Sequence, residues 1–307
     1  MGVWPQKTLI VVVVLVLLAA AGIGYYFYKN SQVPEGARGM VVLAGSPIPN
    51  ELYRYEEDKK AFSALTVPDG YVAFTGFARG GDREFAVLET QSGSYHIIDL
   101  ATGEVLLEKT SYIAGLESSS TGAELAYALY SPLVVDSSAE KAVFSTLLSD
   151  WQVEVMDVES KQTQAVGSGY GPQFFGEKDP YLLLFVREGA LVTYDLQSRE
   201  TEATEFSLAQ STEVDVRIAS DGNTLSAYDL EANLARVFAI DIVRPFRIGY
   251  LHTLPESVRS VVMKDGALYG VKSADTTRML WTGSLENPTG TTGYLFPETF
   301  IPSRLIP

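Results

Sequence analysis

Three observations predict the fold class of this chain: an all-β, six-bladed β-propeller, with seven blades as the alternative, preceded by a single transmembrane helix. The first is a repeated unit. The stretch "YHIIDLATGEVLLEK" at residues 95–109 has counterparts beginning at Trp151, Gly189, Leu234, Thr277 and, in weaker form, Glu51. The second is spacing. Aligned on the position of Asp99, the copies are anchored at Glu56, Asp99, Asp157, Asp195, Asp241 and Ser284, which lie 43, 58, 38, 46 and 43 residues apart. A period of about 40–45 residues filled with short strands is the spacing of four-stranded propeller blades. The third is an uncharged run at the N-terminus.

That run, residues 9–28, reads "LIVVVVLVLLAAAGIGYYFY" and holds no charge between Lys7 and Lys29. Twenty helical residues reach across roughly 30 Å of hydrocarbon. Trp4 stands before it and Tyr25, Tyr26 and Tyr28 close it, as interfacial anchors do. A cleaved signal peptide is the rival, with Ala19 and Ala21 as its cleavage site, but the apolar run continues past Ala21 into the tyrosines. Residues 1–30 are therefore read as an uncleaved signal-anchor. Gly22 and Gly24 give it a small-residue face for close helix contact. Residues 31–39 are read as a polar linker and residues 40–307 as the β domain. The positive charges flanking the span nearly balance, and the short N-terminal tail places the β domain outside the cytoplasm.

Each copy has a second recurring piece, a polar turn followed by an apolar strand. The turns are "RGGDRE" before Phe85, "SSAEK" before Ala142, "GEKDP" before Tyr181, "SDGN" before Thr224 and "KDG" before Ala267. Gly and Asp suit such turns, Gly by adopting positive φ and Asp by accepting from its own downstream backbone. The unit thus reads strand, turn, strand, loop, strand, Asp turn, strand. Alternation within it supports the strands, with Val192 and Tyr194 on one face and Leu191 and Thr193 on the other. Only residues 122–130, "GAELAYALY", carry a helix-like pattern after residue 30.

The turn, the apolar strand and the "apolar-x-apolar-Asp-x-x-Thr-Gly" sequence together resemble the TolB-type, WD-repeat-like propellers of cell envelopes. The resemblance covers residues 40–296 in five good copies and one degraded one. It implies a fold, since propellers host binding, scaffolding and several chemistries alike. No copy has the full Trp-Ser-Pro-Asp-Gly form of that family, and Glu56 and Ser284 replace the turn Asp.

Two irregularities carry expectations of their own. The 58-residue interval before Asp157 is read as holding an insertion at 111–129, "SYIAGLESSSTGAELAYAL", a candidate functional loop or lid. The first copy has its second, third and fourth strands at 40–44, 52–56 and 61–65 and lacks a first. A ring must hide its edges, so part of 294–305 is expected to supply that innermost strand, the tail 297–307 closing the first blade.

Composition narrows function. A net charge of −15 and the absence of a basic stripe argue against nucleic acid as a partner. With no cysteine, the chain has no disulfide, thiolate metal site or cysteine nucleophile. Asp99, Asp157, Asp195 and Asp241 could be imagined as ligands or acids, but one per blade spreads them around a ring, and a local turn-capping role explains all four. His96 and His252 have no partner at metal-site spacing. "GSGYGP" at 167–172 lacks the strand-to-helix setting of a phosphate loop and reads as a flexible connection between blades. Neither a Gly-x-Ser-x-Gly elbow nor a calcium loop appears, "SDGN" at 220–223 being too short. Phe174, Phe175, Tyr181 and Phe185 read as packing between blades. No catalytic, cofactor-binding or metal residue is assigned and no cofactor is expected. The expected function is a membrane-anchored, extracytoplasmic, non-enzymatic module that binds envelope or membrane proteins, with residues 9–28 in the bilayer. The alternatives are a propeller enzyme for a carbohydrate or lactone-like substrate, and an accessory subunit of a membrane complex.

Overall fold

The structure is a computed structural model that describes residues 32–45, 49–130, 151–175, 182–187, 190–207, 214–218, 224–229, 234–241, 247–274, 277–297 and 300–307. Among the described residues the strands form six four-stranded antiparallel sheets. The first sheet contains β1 (Val41–Ala44), β2 (Glu51–Glu56) and β3 (Ala61–Ala64). The second is β4 (Tyr71–Gly80), β5 (Arg83–Thr90), β6 (Tyr95–Asp99) and β7 (Val105–Lys109). The third is β8 (Tyr112–Ser118), β9 (Glu124–Tyr130), β10 (Trp151–Asp157) and β11 (Thr163–Ser168). The fourth is β12 (Tyr170–Phe175), β13 (Leu182–Arg187), β14 (Ala190–Asp195) and β15 (Thr201–Ser207). The fifth is β16 (Val214–Ile218), β17 (Thr224–Asp229), β18 (Leu234–Asp241) and β19 (Arg247–Thr253). The sixth is β20 (Val258–Lys264), β21 (Ala267–Ala274), β22 (Thr277–Gly283) and β23 (Thr291–Leu295). A last strand, β24 (Pro302–Ile306), returns to the first sheet, whose order is β24-β1-β2-β3.

The sheets succeed one another around an axis. Innermost strand packs on innermost strand from β4 to β8, β12, β16, β20 and β24, and β4 meets β1 and β2 to complete the ring. The second strands β1, β5, β9 and β13 carry apolar runs because they are sandwiched between two neighbouring sheets. In β1, Val41 and Leu43 pack with Phe74, Phe77 and Leu88, while Val42 and Ala44 pack with Val262, Tyr269 and Val271. In β5, Phe85 and Val87 join Leu116, Leu125 and Tyr127, while Ala86 and Leu88 turn back toward β1. Full burial of each large side chain contributes about 1.5–3 kcal/mol, so these inter-sheet layers hold the ring together.

This double burial corrects one expectation. Residues 111–129 are not an inserted loop or lid, and 122–130 is not a helix. They form the β8–β9 hairpin, the two inner strands of the third sheet. In β9, Leu125 and Tyr127 pack toward the second sheet and Ala126 toward the fourth. With both faces apolar the period of two disappears, and a helix-like run is left. The turn before this strand is Ser119–Gly122 rather than "SSAEK" at 137–141, which falls within residues 131–150, outside the described residues. Tyr181, "GEKDP" and "SDGN" also lie outside them.

The anchors of the repeat end the third strands, at Glu56, Asp99, Asp157, Asp195 and Asp241, and Ser284 follows β22 directly. Each described Asp turn is built alike. Asp99 Oδ1 accepts from the backbone of Ala101 and Thr102, Asp157 Oδ1 from Ser160, and Asp195 Oδ1 from Gln197 and Ser198. Four residues on, the chain turns left-handed at Lys60, Gly103, Lys161 and Arg199, with φ of 51°, 72°, 56° and 62°. Ser284 Oγ substitutes for the carboxylate by accepting from Asn287.

β24 runs antiparallel to β1, with Val41 opposite Ile306 and Leu43 opposite Arg304. The segment read as a polar linker is packed rather than solvated. Val33 and Ala37 are buried with Val262, Tyr269 and Val271, and Glu35–Ala37 forms a short 3-10 turn. Small and apolar side chains among the polar ones of "SQVPEGARG" make this contact. Among the described residues no helix is long and apolar enough to cross a membrane; residues 9–28 lie outside them.

Two measurements check this account. A chain ending at Pro297 loses the buried Leu305 and Ile306, worth about 3 kcal/mol or more together, and should show a lower, broadened thermal transition. Gly103→Ala should destabilise by roughly 1 kcal/mol in urea titration. Nothing would lie within 4 Å of the new Cβ, so the cost is that of left-handed backbone alone.

Candidate functional site

The two ends of the ring differ. One carries the Asp turns and the first-to-second-strand turns. The other carries the second-to-third-strand loops and the starts of the innermost strands. At this second end a cavity of about 260 Å³ opens on the axis. Its wall comes from several sheets: Leu43 and Pro49, Thr75, Tyr112 with Ala114 and Gly115, Trp151, Tyr170 with Gly171, and Ser303 with Arg304.

Irregular pairing shapes this wall. The innermost strands carry register shifts at Phe74/Gly76 in β4, Ala114/Glu117 in β8, Tyr170/Gln173 in β12 and Arg259/Val262 in β20. Where β24 meets β1, a further shift sets Ser303 out of register. A bulge leaves one residue unpaired and re-aims its side chain. Repeated around the axis, bulges bring a polar belt into an otherwise apolar ring: Thr75, Gln173, Ser260 and Arg304 are all less than 9% exposed. Thr75 Oγ1 donates to the Val87 carbonyl at 3.5 Å and Ser260 Oγ to the Ser303 carbonyl at 2.5 Å.

At the centre of the belt Arg304 Nη2 donates to Glu117 Oε1, and Gln173 Nε2 donates to the same oxygen at 2.8 Å. Strands from the first, third and fourth sheets thus meet in one hydrogen-bonded group across the axis. Burial lowers the Arg304 pKa to about 10, against the opposing pull of Tyr112, so the guanidinium stays charged at neutral pH. Burial pushes the Tyr112 hydroxyl well above its usual range, with Tyr95 and Glu89 adding to the effect. It is a neutral donor under ordinary conditions.

An aromatic row borders the cavity. Tyr95 meets Tyr112 edge-on at 5.4 Å between centroids, Tyr112 meets Trp151 at 6.3 Å, and Trp151 meets Tyr130 at 5.0 Å. Two buried N–H groups at the cavity wall, Arg304 Nε and Trp151 Nε1, find no acceptor among the described residues. An unpaired buried donor costs about 1–3 kcal/mol. The arrangement can therefore gain from a group that brings acceptor oxygens to the axis.

The residues weighed from sequence lie elsewhere. Asp99, Asp157, Asp195 and Asp241 end their strands at the opposite end of the ring and do not converge. Asp99 is 3% exposed and receives Arg83 Nη2 at 2.9 Å. Burial raises its pKa, but Arg83 and the turn amides outweigh this and hold it below the usual carboxylate value. His96 is in the second sheet, with Nδ1 3.0 Å from the Tyr71 hydroxyl, and His252 is in the outer strand of the fifth. Phe175 and Phe185 are buried between sheets. Among the described residues no group of three or more His, Asp or Glu could hold a metal ion.

"GSGYGP" is mostly strand rather than the flexible connection expected of it: Gly167 and Ser168 end β11, Tyr170 opens β12 with Gly169 alone between them, and Tyr170 and Gly171 line the cavity. Gly169, at φ 147°, has no room for a side chain: a Cβ would stand 2.6 Å from Phe185 Cδ2 and from the Val186 carbonyl. Sequence reasoning missed Tyr112, Glu117, Trp151, Gln173 and Arg304. The available signal was an arginine inside the apolar closing strand, "PSRLI", which needs a buried partner.

No protein-family model matches the chain, and no curated protein matches it in sequence. Solved structures resemble it in fold. The β-propeller domain of Myceliophteria thermophila Cps50 (Swd1) superposes with a TM-score of 0.55 at 12% identity, over 87% of this chain and 88% of that one. TolB from Acinetobacter baumannii gives 0.56 at 13%, over 86% and 66%. A Bacteroides uniformis protein provisionally described as a 6-phosphogluconolactonase gives 0.56 at 11%, over 91% and 88%. At these identities the likeness establishes the β-propeller fold alone.

Removing Arg304 leaves the Glu117 carboxylate with Gln173 but without its countercharge. Arg304→Met should cost about 3 kcal/mol, read as a shift in the urea midpoint, and adding Glu117→Gln should recover most of it.

Proposed function

We propose that this chain is a membrane-tethered, non-enzymatic binding module, held by residues 9–28 with its propeller outside the cytoplasm, that captures a protein partner at the axial cavity. The observation that carries this reading is a pair of buried donors, Arg304 Nε–H and Trp151 Nε1–H, which find no acceptor among the described residues and stand at the wall of one aromatic-bordered cavity. At about 260 Å³ the cavity is smaller than most pockets for drug-sized ligands. It accommodates one side chain or the end of a chain, while the surrounding loops meet the rest of the partner. The Arg304–Glu117 pair is internally neutral, so the acceptor offered need not bring a full charge. A backbone carbonyl, a side-chain amide or a carboxylate each meets the requirement. The aromatic row supplies apolar area with few rotamers to freeze, the composition found where binding energy concentrates.

Trp151→Phe keeps the ring packing and removes the N–H. Full-length protein carrying this change should retain its thermal stability and recover its partner from mild detergent at least about fivefold less efficiently, a loss of roughly 1 kcal/mol. Exposed Thr102→Ala, at the far end of the ring, should recover it normally. Equal recovery by Trp151→Phe and the unaltered chain would remove the cavity from the interaction.

A further inference from the structure

The path of residues 32–40 fixes which end of the propeller can meet a membrane. Val33 and Ala37 are 2% and 0% exposed, buried against the sixth sheet. Gly36 lies so close to Tyr269 that a Cβ there would stand 2.0 Å from the phenolic oxygen. Arg79 Nη1 donates to the Gly39 carbonyl at 3.0 Å, and Lys264 Nζ approaches the same glycine from the other side. Arg79 is near the end of β4, and Lys264 is the last residue of β20. Both are where innermost strands turn into second strands, the end of the ring that also carries the Asp turns. The chain is thus clamped between the second and sixth sheets at this end before β1 begins. Tyr112, Tyr170 and Pro302, at the starts of their strands, mark the cavity end opposite.

We infer that the Asp-turn end faces the bilayer and the axial cavity opens away from it, toward a partner in the aqueous space. This rests on the reading of residues 9–28 as a membrane span. From Tyr28 to Val33 the chain makes five residue steps, which reach at most about 18 Å. The tether is therefore short and its propeller end is packed, so the ring cannot turn over to present the cavity to the membrane. Innermost strands of about seven residues add roughly 23 Å between the two ends. A partner must carry an acceptor-bearing group that reaches the cavity at that height. A water-soluble protein or a long extramembranous segment does so; a helix ending at the same membrane surface does not.

The cysteine-free sequence allows this to be read by single-site labelling. Full-length Thr102→Cys and Gln197→Cys place a fluorophore at the Asp-turn end, and Asn50→Cys and Ser92→Cys place one at the cavity end. All four native residues are exposed. Each variant is reconstituted into phosphatidylcholine vesicles containing a headgroup-labelled acceptor lipid. Vesicle flotation is measured first, then energy transfer to the lipid. The expected result is co-flotation of all four, with transfer at least twofold greater from residues 102 and 197 than from residues 50 and 92. Equal transfer from the two ends, or the reverse order, overturns the orientation while leaving the span in place. Failure to float overturns the span, and the orientation with it.

Discussion

The antiparallel pairing of β24 with β1 is the contact on which the rest depends. It joins segments about 260 residues apart, as in the Ser303 hydroxyl bonded to the Leu43 carbonyl. Without it the first sheet would present β1, an apolar strand flanked on both faces, as an open inner edge. The pairing does more than close a ring. It brings Ser303 and Arg304 to the axis, where Arg304 meets Glu117 from the third sheet, so the closing strand also completes the cavity. Fold and site share one stretch of chain.

The polar belt around the axis is costly for a core. A buried ion pair gains little over well-packed apolar side chains, because both charges must leave water. Here the cost is contained by sharing. Glu117 Oε1 accepts from Arg304 and Gln173 together, and Ser260 and Thr75 satisfy their hydroxyls on backbone carbonyls. The bulges make this feasible, since they free backbone and side chains that regular ladders would have occupied or turned away. What the belt leaves unmatched among the described residues is one N–H of Arg304, beside one of Trp151.

Local chemistry was the legible part of the sequence. The Asp turns could be read because a carboxylate capping the next residues needs nothing beyond its own neighbours, and three described turns repeat it. The strand period and the return of the tail to the first sheet followed from the same repeat and from the need to hide an edge. Residues 111–129 were misread because burial on both faces erases the alternation that marks a strand, and "SSSTG" looks like loop. The packing of Val33 and Ala37 was hidden by polar neighbours in a short segment. The cavity was not legible at all. Arg304, Glu117 and Gln173 are separated by more than fifty residues in each pair and meet only when the ring closes. Tyr112 and Trp151 differ in no sequence feature from the many aromatic residues that are only core.

Closure from the C-terminal side also sets an order of events in time. A domain folds as a unit, and during synthesis β24 is made after every other strand of the ring. The aromatic row, Glu117 and Gln173 therefore precede Arg304 by more than a hundred residues of translation. Until its last strand arrives, a nascent chain lacks the arginine that neutralises Glu117 and leaves β1 uncovered. The axial cavity is then complete only in the closed ring, so a chain terminated before β24 would lack the Ser303 and Arg304 part of its wall.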